Sequence, residues 1–213
     1  MSYSVNQLES KNKQKVRQTI IDTVKKEFKN QYSVRGLSLP NLNFTIETEL
    51  TKSFKLGVVD CIEHDVKVYN RQLALPISNK MFFHNTDVFT WLRITPMKYD
   101  WMFIDLCGSL QLRVKNNLIS LIQSDKLKDN CIIALTLLKG REYDSSAIKQ
   151  STGKSMEYYR TEGLVEDLNF FASQVNRKVK LLKEINYSSE LPEMVGKKAS
   201  PMKVLILKIT KNK

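Results

Sequence analysis

Several carboxylates in this chain sit in or beside apolar runs, where a carboxylate is costly, and three of them are candidates for chemistry. Glu63 follows the run Lys55–Ile62 (KLGVVDCI), Asp105 lies within Trp101–Leu106 (WMFIDL), and Asp87 follows Lys80–His84 (KMFFH). Burying such a group without a partner is expensive, so each is either a solvated strand end or a group placed for chemistry. An ionised carboxylate accepts hydrogen bonds through two oxygens, and one at the rim of a cleft also suits orienting a reactant or taking its proton. Asp60 points away from Glu63 by strand alternation, and Asp65 lies just past the run's end. Asp87, or Thr86 before it, equally suits the N-cap of a short helix through Phe89 and Leu92.

Two other clusters carry chemical potential. The segment Pro40-Asn41-Leu42-Asn43 reads as a turn in which Asn41 or Asn43 can take positive φ. The helix start that follows, near Phe44 and Thr45, offers N–H groups to an anion. Further along, Arg141, Tyr143, Lys154, Tyr158, Tyr159 and Arg160 combine positive charge with aromatic faces, which suits phosphate contact and base stacking. The plain alternative is a polar loop with amphipathic tyrosines. Cys61, Cys107 and Cys131 each lie inside an apolar run and read as small buried hydrophobes. With only His64 and His84 beside them, no metal-ligand spacing is present.

The elements that position these residues follow from periodicity. Val16, Ile20, Ile21, Val24 and Phe28 recur at helical spacing in the first segment, so residues 1–33 read as a helical extension packing on the core. Residues 34–213 then alternate short apolar runs with helical stretches. The runs are Leu37–Pro40, Lys55–Ile62, Lys80–His84, Trp101–Leu106 and Cys131–Leu138; the helices are Phe44–Phe54, Val66–Gln72, Leu110–Gln123 and Leu164–Val175. Near-continuous apolar strands alternating with helices predict a parallel sheet covered on both faces. Lys178–Ile185 and Lys203–Ile209 have no helical stretch between them, which predicts an antiparallel hairpin. Gly36 precedes the first run, and Asp144–Thr161 reads as a loop or small insertion.

Charge is concentrated at the ends. The net charge is +12; the first 30 residues carry seven Lys or Arg against three acids, and the last 38 carry ten against three. Such a field attracts polyanions, so DNA or RNA held by the basic terminal segments is the expected partner, against the alternative of a solvated basic surface. The opening residues lack a signal-peptide core and no run is long enough to span a membrane. A cytoplasmic location is expected, the host's cytoplasm if the Lys/Asn/Ile-rich chain is viral. Oligomeric state is not readable.

Five α/β units ending in a hairpin resemble the class I S-adenosylmethionine-dependent methyltransferases over residues 34–210. The resemblance implies an α/β fold: a Rossmann-like seven-stranded, mostly parallel sheet with helices on both faces and a C-terminal antiparallel strand hairpin. It implies S-adenosylmethionine as cofactor. Glu63 then takes both ribose hydroxyls, Asp87 the adenine amino group, and Pro40, Asn41 and Asn43 the methionine end. Asp105 takes the catalytic or acceptor-facing place, with Arg141, Tyr143, Tyr158 and Tyr159 on the substrate side. The chain departs from the family at two points. Its first turn has no glycine, and Asp105-Leu106-Cys107-Gly108 does not match the Asp/Asn-Pro-Pro-aromatic motif of enzymes acting on exocyclic base amines. A methyltransferase acting on nucleic acid is expected, with a non-catalytic nucleic-acid- or protein-binding module of the same fold as the alternative. A nicotinamide enzyme ranks last, because it needs the glycine fingerprint even more.

Overall fold

The computed structural model describes residues 10–76, 78–106, 108–139, 153–188 and 201–212. Its seven strands form one sheet in the order β3-β2-β1-β4-β5-β7-β6, ending in an antiparallel hairpin, as the alternation of elements predicts. The chain divides into two compact units, residues 1–95 with 186–202, and residues 96–185 with 203–213.

The first unit begins with α1 (Lys11–Glu27), capped by Ser10, whose hydroxyl accepts from the Lys13 amide at 3.3 Å. Val16, Ile20, Ile21 and Val24 form its buried face, each contributing roughly 1.5–3 kcal/mol of burial, and α1 packs on α2 (Thr45–Ser53). Strands β1 (Ser33–Ser38), β2 (Leu56–Glu63) and β3 (Met81–Asn85) pair in parallel, Ser38 beside Cys61 and Glu63 beside Asn85. Helices α3 (Val66–Leu73) and α4 (Val88–Ile94) follow β2 and β3.

The first strand runs four residues earlier than the apolar run Leu37–Pro40 suggests, and Gly36 lies inside it rather than ahead of it. Arg35 and Gly36 interrupt the hydrophobic pattern there. The pairing tolerates Arg35 because its guanidinium meets the buried Asp60 carboxylate, Nε and Nη2 each 2.8 Å from Oδ2.

In the second unit β4 (Tyr99–Asp105) is buried along nearly its whole length and pairs in parallel with β5 (Leu127–Leu138), Asp105 beside Thr136. Helix α5 (Leu112–Gln123) packs against the later helix α7 (Leu164–Ser173), whose buried residues Leu168 and Ala172 follow Leu164 at four-residue intervals. The stretch predicted as loop is helical from residue 156: a single turn, α6 (Met156–Tyr158), passes into a π-type turn, Tyr159–Gly163, that runs into α7. The hairpin is β6 (Arg177–Ser188) and β7 (Pro201–Lys211). Exposed Lys178, Lys180 and Lys183 on the edge strand β6 discourage edge-to-edge pairing with other chains. Cys61 and Cys131 are buried free thiols, raised by burial, whereas Cys107 lies outside the described residues. No helix among the described residues is long and apolar enough to cross a membrane.

Candidate functional site

The carboxyl ends of β1, β2 and β3 bring the first group of candidate residues to one edge of the first unit. Glu63 ends β2 with its side chain at the rim, 15% exposed. Its Oε1 accepts from the Asp65 amide at 2.8 Å and lies 3.3 Å from His64 Nδ1, while Oε2 has no bond among the described residues. The Glu63 carbonyl accepts from Asn85 Nδ2 at 2.7 Å and from the Thr86 amide at 3.1 Å, which ties the end of β2 to the end of β3. Asp65, exposed, caps α3 by accepting from the Lys67 and Val68 amides, and those bonds hold its carboxyl below the ordinary range.

Asp87 caps α4. Its Oδ1 accepts from the Thr90 amide at 3.0 Å and the Thr90 hydroxyl at 3.3 Å, so the cap uses one oxygen of an exposed carboxylate. The capping role expected from sequence is present, and it leaves the second oxygen at the surface.

The turn after β1 differs from expectation. Asn41 and Asn43 are exposed, and the Asn43 amide donates to Asn41 Oδ1 at 3.0 Å in a local Asx turn. Neither carries the positive φ that their type allows. The residue that does is Phe44, with φ 45° and ψ 35°. For a bulky side chain this conformation is strained by roughly 1–3 kcal/mol and persists only where packing enforces it. Here the Phe44 ring is buried, edge-on to Phe83 at 5.5 Å. Burial of an aromatic ring outweighs the left-handed penalty, so the phenylalanine rather than an asparagine absorbs the bend.

Behind this turn lie polar residues that the sequence reading did not single out. The Ser38 hydroxyl donates to Glu47 in the first turn of α2, and burial raises the Glu47 carboxyl above its ordinary range. Gln72 of α3 is completely buried and donates from Nε2 to the Pro40 carbonyl at 3.0 Å, while its Oε1 has no hydrogen-bond partner among the described residues. An orphaned buried acceptor costs roughly 1–3 kcal/mol. On the strands themselves, buried Asp60 accepts from Arg35 and lies 3.0 Å from His84 Nε2, and the His84 ring stacks on Trp91 of α4 at 3.8 Å.

The second unit holds the remaining candidates. Asp105 ends β4 half-buried, so it is a strand-end acid rather than a core one. The fully buried acid of that strand is Asp100, paired with Lys128 at 2.6 Å. Tyr158 and Tyr159 lie where α6 passes into the π-type turn, their rings edge to face at 5.8 Å. Gly163 makes room for them, since a Cβ there would stand 3.0 Å from Tyr158 Cε1. Lys154 donates to the Tyr158 hydroxyl at 2.5 Å, and that hydroxyl donates to Glu166, which raises the phenol above its ordinary range. Arg141 and Tyr143 lie outside the described residues.

Beneath the tyrosines is a buried cation. Lys203, 1% exposed, lies 2.5 Å from Glu184, 2.9 Å from Glu157 and 2.5 Å from the Thr161 hydroxyl. Glu157 also meets Lys139 and Arg160 at 3.0 Å. Lys203, with Lys139, holds the Glu157 carboxyl down at about 2. π-type turns recur at functional positions, and this one is pinned from below through Glu157 and Thr161.

No protein-family model matches the sequence, and no curated protein matches it. Solved structures do match in fold. Magnesium protoporphyrin IX methyltransferase (ChlM) from Synechocystis PCC 6803, with bound SAH, aligns over 92% of this chain and 83% of its own at 10% identity and TM-score 0.56. TYW2 of P. horikoshii in complex with MeSAdo aligns over 90% of this chain at 14% identity and TM-score 0.52, and the Methanococcus jannaschii fibrillarin pre-rRNA processing protein over 86% of this chain and 69% of its own at 14% and 0.50. The chain spans 62% of the length of that TYW2 and 66% of a second Pyrococcus horikoshii protein, named as a transferase. At these identities the likeness is one of fold: the chain has the Rossmann-like architecture of the class I S-adenosylmethionine-dependent methyltransferases.

Proposed function

We propose that the chain is an S-adenosylmethionine-dependent methyltransferase whose cofactor is held by residues at the carboxyl ends of β1, β2 and β3. One observation carries the reading: Glu63 ends β2 at the rim of the sheet, with one carboxylate oxygen braced on the Asp65 amide and the other without a bond among the described residues. A carboxylate there suits a vicinal diol, and in open α/β sheets ligands bind beyond the carboxyl ends of the strands. The donor set fits the cofactor. Glu63, Asp87 and the Pro40 carbonyl are acceptors facing a ligand whose ribose, adenine amino and ammonium groups are donors, and the orphaned Gln72 oxygen adds another acceptor.

In this reading Glu63 holds the ribose, Asp87 takes the adenine amino group through the oxygen its cap does not use, and Pro40, Asn41 and Asn43 line the methionine end. The cofactor, when bound, supplies an electrophilic methyl group on a sulfonium. The protein's part is then position and electrostatics. Asp105 orients the acceptor or takes its proton. Tyr158 and Tyr159 take the substrate side, the role that the resemblance also gives to Arg141 and Tyr143, which lie outside the described residues.

The acceptor we infer is a nucleic acid. In support, the net charge of +12 lies mostly in the terminal segments, basic and aromatic residues share one stretch, and one fold neighbour processes pre-rRNA. A second reading, a non-catalytic binding module of the same fold, is favoured by the glycine-free turn that Phe44 closes.

Thermal unfolding with S-adenosylmethionine and S-adenosylhomocysteine separates the two. The methyltransferase reading expects a ligand-dependent rise in Tm that disappears in Glu63→Ala; no rise at saturating ligand favours the module. Binding to mixed-sequence RNA or DNA should weaken steeply with salt. A response flat in ionic strength removes nucleic acid from the account.

A further inference from the structure

The turn after β1 and helix α3 meet through one side chain. Gln72 is 0% exposed, and its Nε2 donates to the Pro40 carbonyl at 3.0 Å. A carbonyl partner settles which way the amide lies, because the reverse orientation would set two acceptors face to face. Oε1 is therefore the atom left over, buried without a hydrogen-bond partner among the described residues. Such an oxygen opposes folding, and an apolar side chain of the same shape would fill the space without that cost. An unsatisfied buried group in a native structure calls for a reason, and a ligand that completes the pair is one.

The surroundings narrow what that ligand group is. The Pro40 carbonyl and Gln72 Oε1 are acceptors, and the edge beyond them carries the Glu63 and Asp87 carboxylates. At these two atoms a donor is accepted and a positively charged donor is preferred, while an anionic group beside it suits the N–H groups at the start of α2. The turn is also braced: Phe44 keeps its left-handed backbone through burial of its ring, so Pro40 is held from both sides of the bend.

We propose that Gln72 is a ligand-binding residue whose Oε1 accepts from the ammonium group at the amino-acid end of the cofactor, while its Nε2 holds the Pro40 turn in position. The assignment rests on the methyltransferase reading and deepens it. Where the family's turn uses glycine backbone to approach the ligand, this chain uses a side-chain amide reaching over from α3.

The test compares S-adenosylhomocysteine with 5′-methylthioadenosine, which lacks the amino-acid end, on the full chain by calorimetry, with urea unfolding of each ligand-free protein alongside. Gln72→Glu, as the neutral acid that burial favours, keeps both a donor to the Pro40 carbonyl and an acceptor at the same place, and Gln72→Met keeps the length of the side chain and removes both. Loss of one charge-assisted hydrogen bond predicts that Gln72→Met binds S-adenosylhomocysteine about tenfold more weakly and Gln72→Glu within about threefold of wild type. 5′-Methylthioadenosine should hardly distinguish the three proteins, and the urea midpoint of Gln72→Met should stay close to the wild type, the lost bond to Pro40 being offset by removal of the orphaned oxygen. The proposal is overturned if Gln72→Met binds S-adenosylhomocysteine as the wild type does. It is equally overturned if both ligands weaken together with a lowered midpoint, the pattern of a purely structural tether. A wild-type chain that binds neither ligand overturns the methyltransferase reading itself and this assignment with it; binding of both, indifferent to Gln72, overturns this assignment alone.

Discussion

Gln72 in the first unit and Lys203 in the second are both polar side chains with essentially no exposure, yet the two units treat them in opposite ways. Lys203 is surrounded: Glu184, Glu157 and the Thr161 hydroxyl take its ammonium, and Glu157 passes the connection on to Lys139 and Arg160. Gln72 is half satisfied, with one atom bonded and one orphaned. A completed network fixes one geometry and asks for nothing more. An incomplete one retains a reason to bind. The difference teaches where to look: the satisfied network shapes the passage from α6 into the π-type turn, where Tyr158 and Tyr159 lie, and the unsatisfied edge is where the proposed ligand would bind.

The comparison breaks most visibly at Lys203. Lys203→Met removes the cation from Glu184 and Glu157 and should destabilise the chain by about 2–3 kcal/mol, toward or below the usual range for a broken buried pair, because Glu157 keeps Lys139 and Arg160 and both carboxylates keep access to water. Urea unfolding measures it. A loss under about 0.5 kcal/mol, the size of an ordinary surface change, would mean that the network is not structural.

Acidity sharpens the contrast more gently, because the two units carry glutamates shifted in opposite senses. Glu157 is held at about 2, below its ordinary 4.5, so folding favours its charged form. Its contribution is complete above pH 4.5 and is lost as pH falls toward 2. Glu47 is raised above 4.5, so folding favours its protonated form. Its contribution is complete below pH 4.5 and declines as pH rises through its folded value. Glu157→Gln should therefore flatten the acid side of the stability profile while costing less than about 1 kcal/mol at neutral pH, since the carboxylate is half exposed. Glu47→Gln should flatten the other side and raise stability at pH 7 relative to wild type. Profiles parallel to wild type in both variants would remove the distinction.

Much of the architecture was open to reading because it depends on local periodicity. The run VVDCIEHD, the alternating helices and the helix-free interval before the final strand name the fold without any long-range information. Errors came where one residue's cost is met by a partner far along the chain. Arg35 hid the true start of β1 because Asp60, 25 positions away, neutralises it. Gln72 looked like an ordinary helical residue, since nothing local announces a bond to Pro40, 32 positions back. Lys203 reads as the polar start of a strand, and its burial depends on Glu157 in a helical turn within the stretch Asp144–Thr161, whose polar sequence reads as a loop or small insertion. Phe44 shows a different limit: residue type favours Asn for positive φ, but packing of its ring against Phe83 decided otherwise. At the candidate site, Glu63 and the cap at Asp87 were legible as strand-end and helix-start chemistry, whereas the polar atoms behind the turn were not.

The central claim is that the edge bearing Glu63 accepts an adenosyl ligand. Isothermal titration of S-adenosylhomocysteine into the wild-type chain and into Glu63→Ala tests it most directly. The account predicts saturable one-to-one binding in the wild type, weakened at least about tenfold when the charged acceptor for the ribose is removed. Equal affinity in both proteins, or no heat of binding at millimolar ligand, would contradict it.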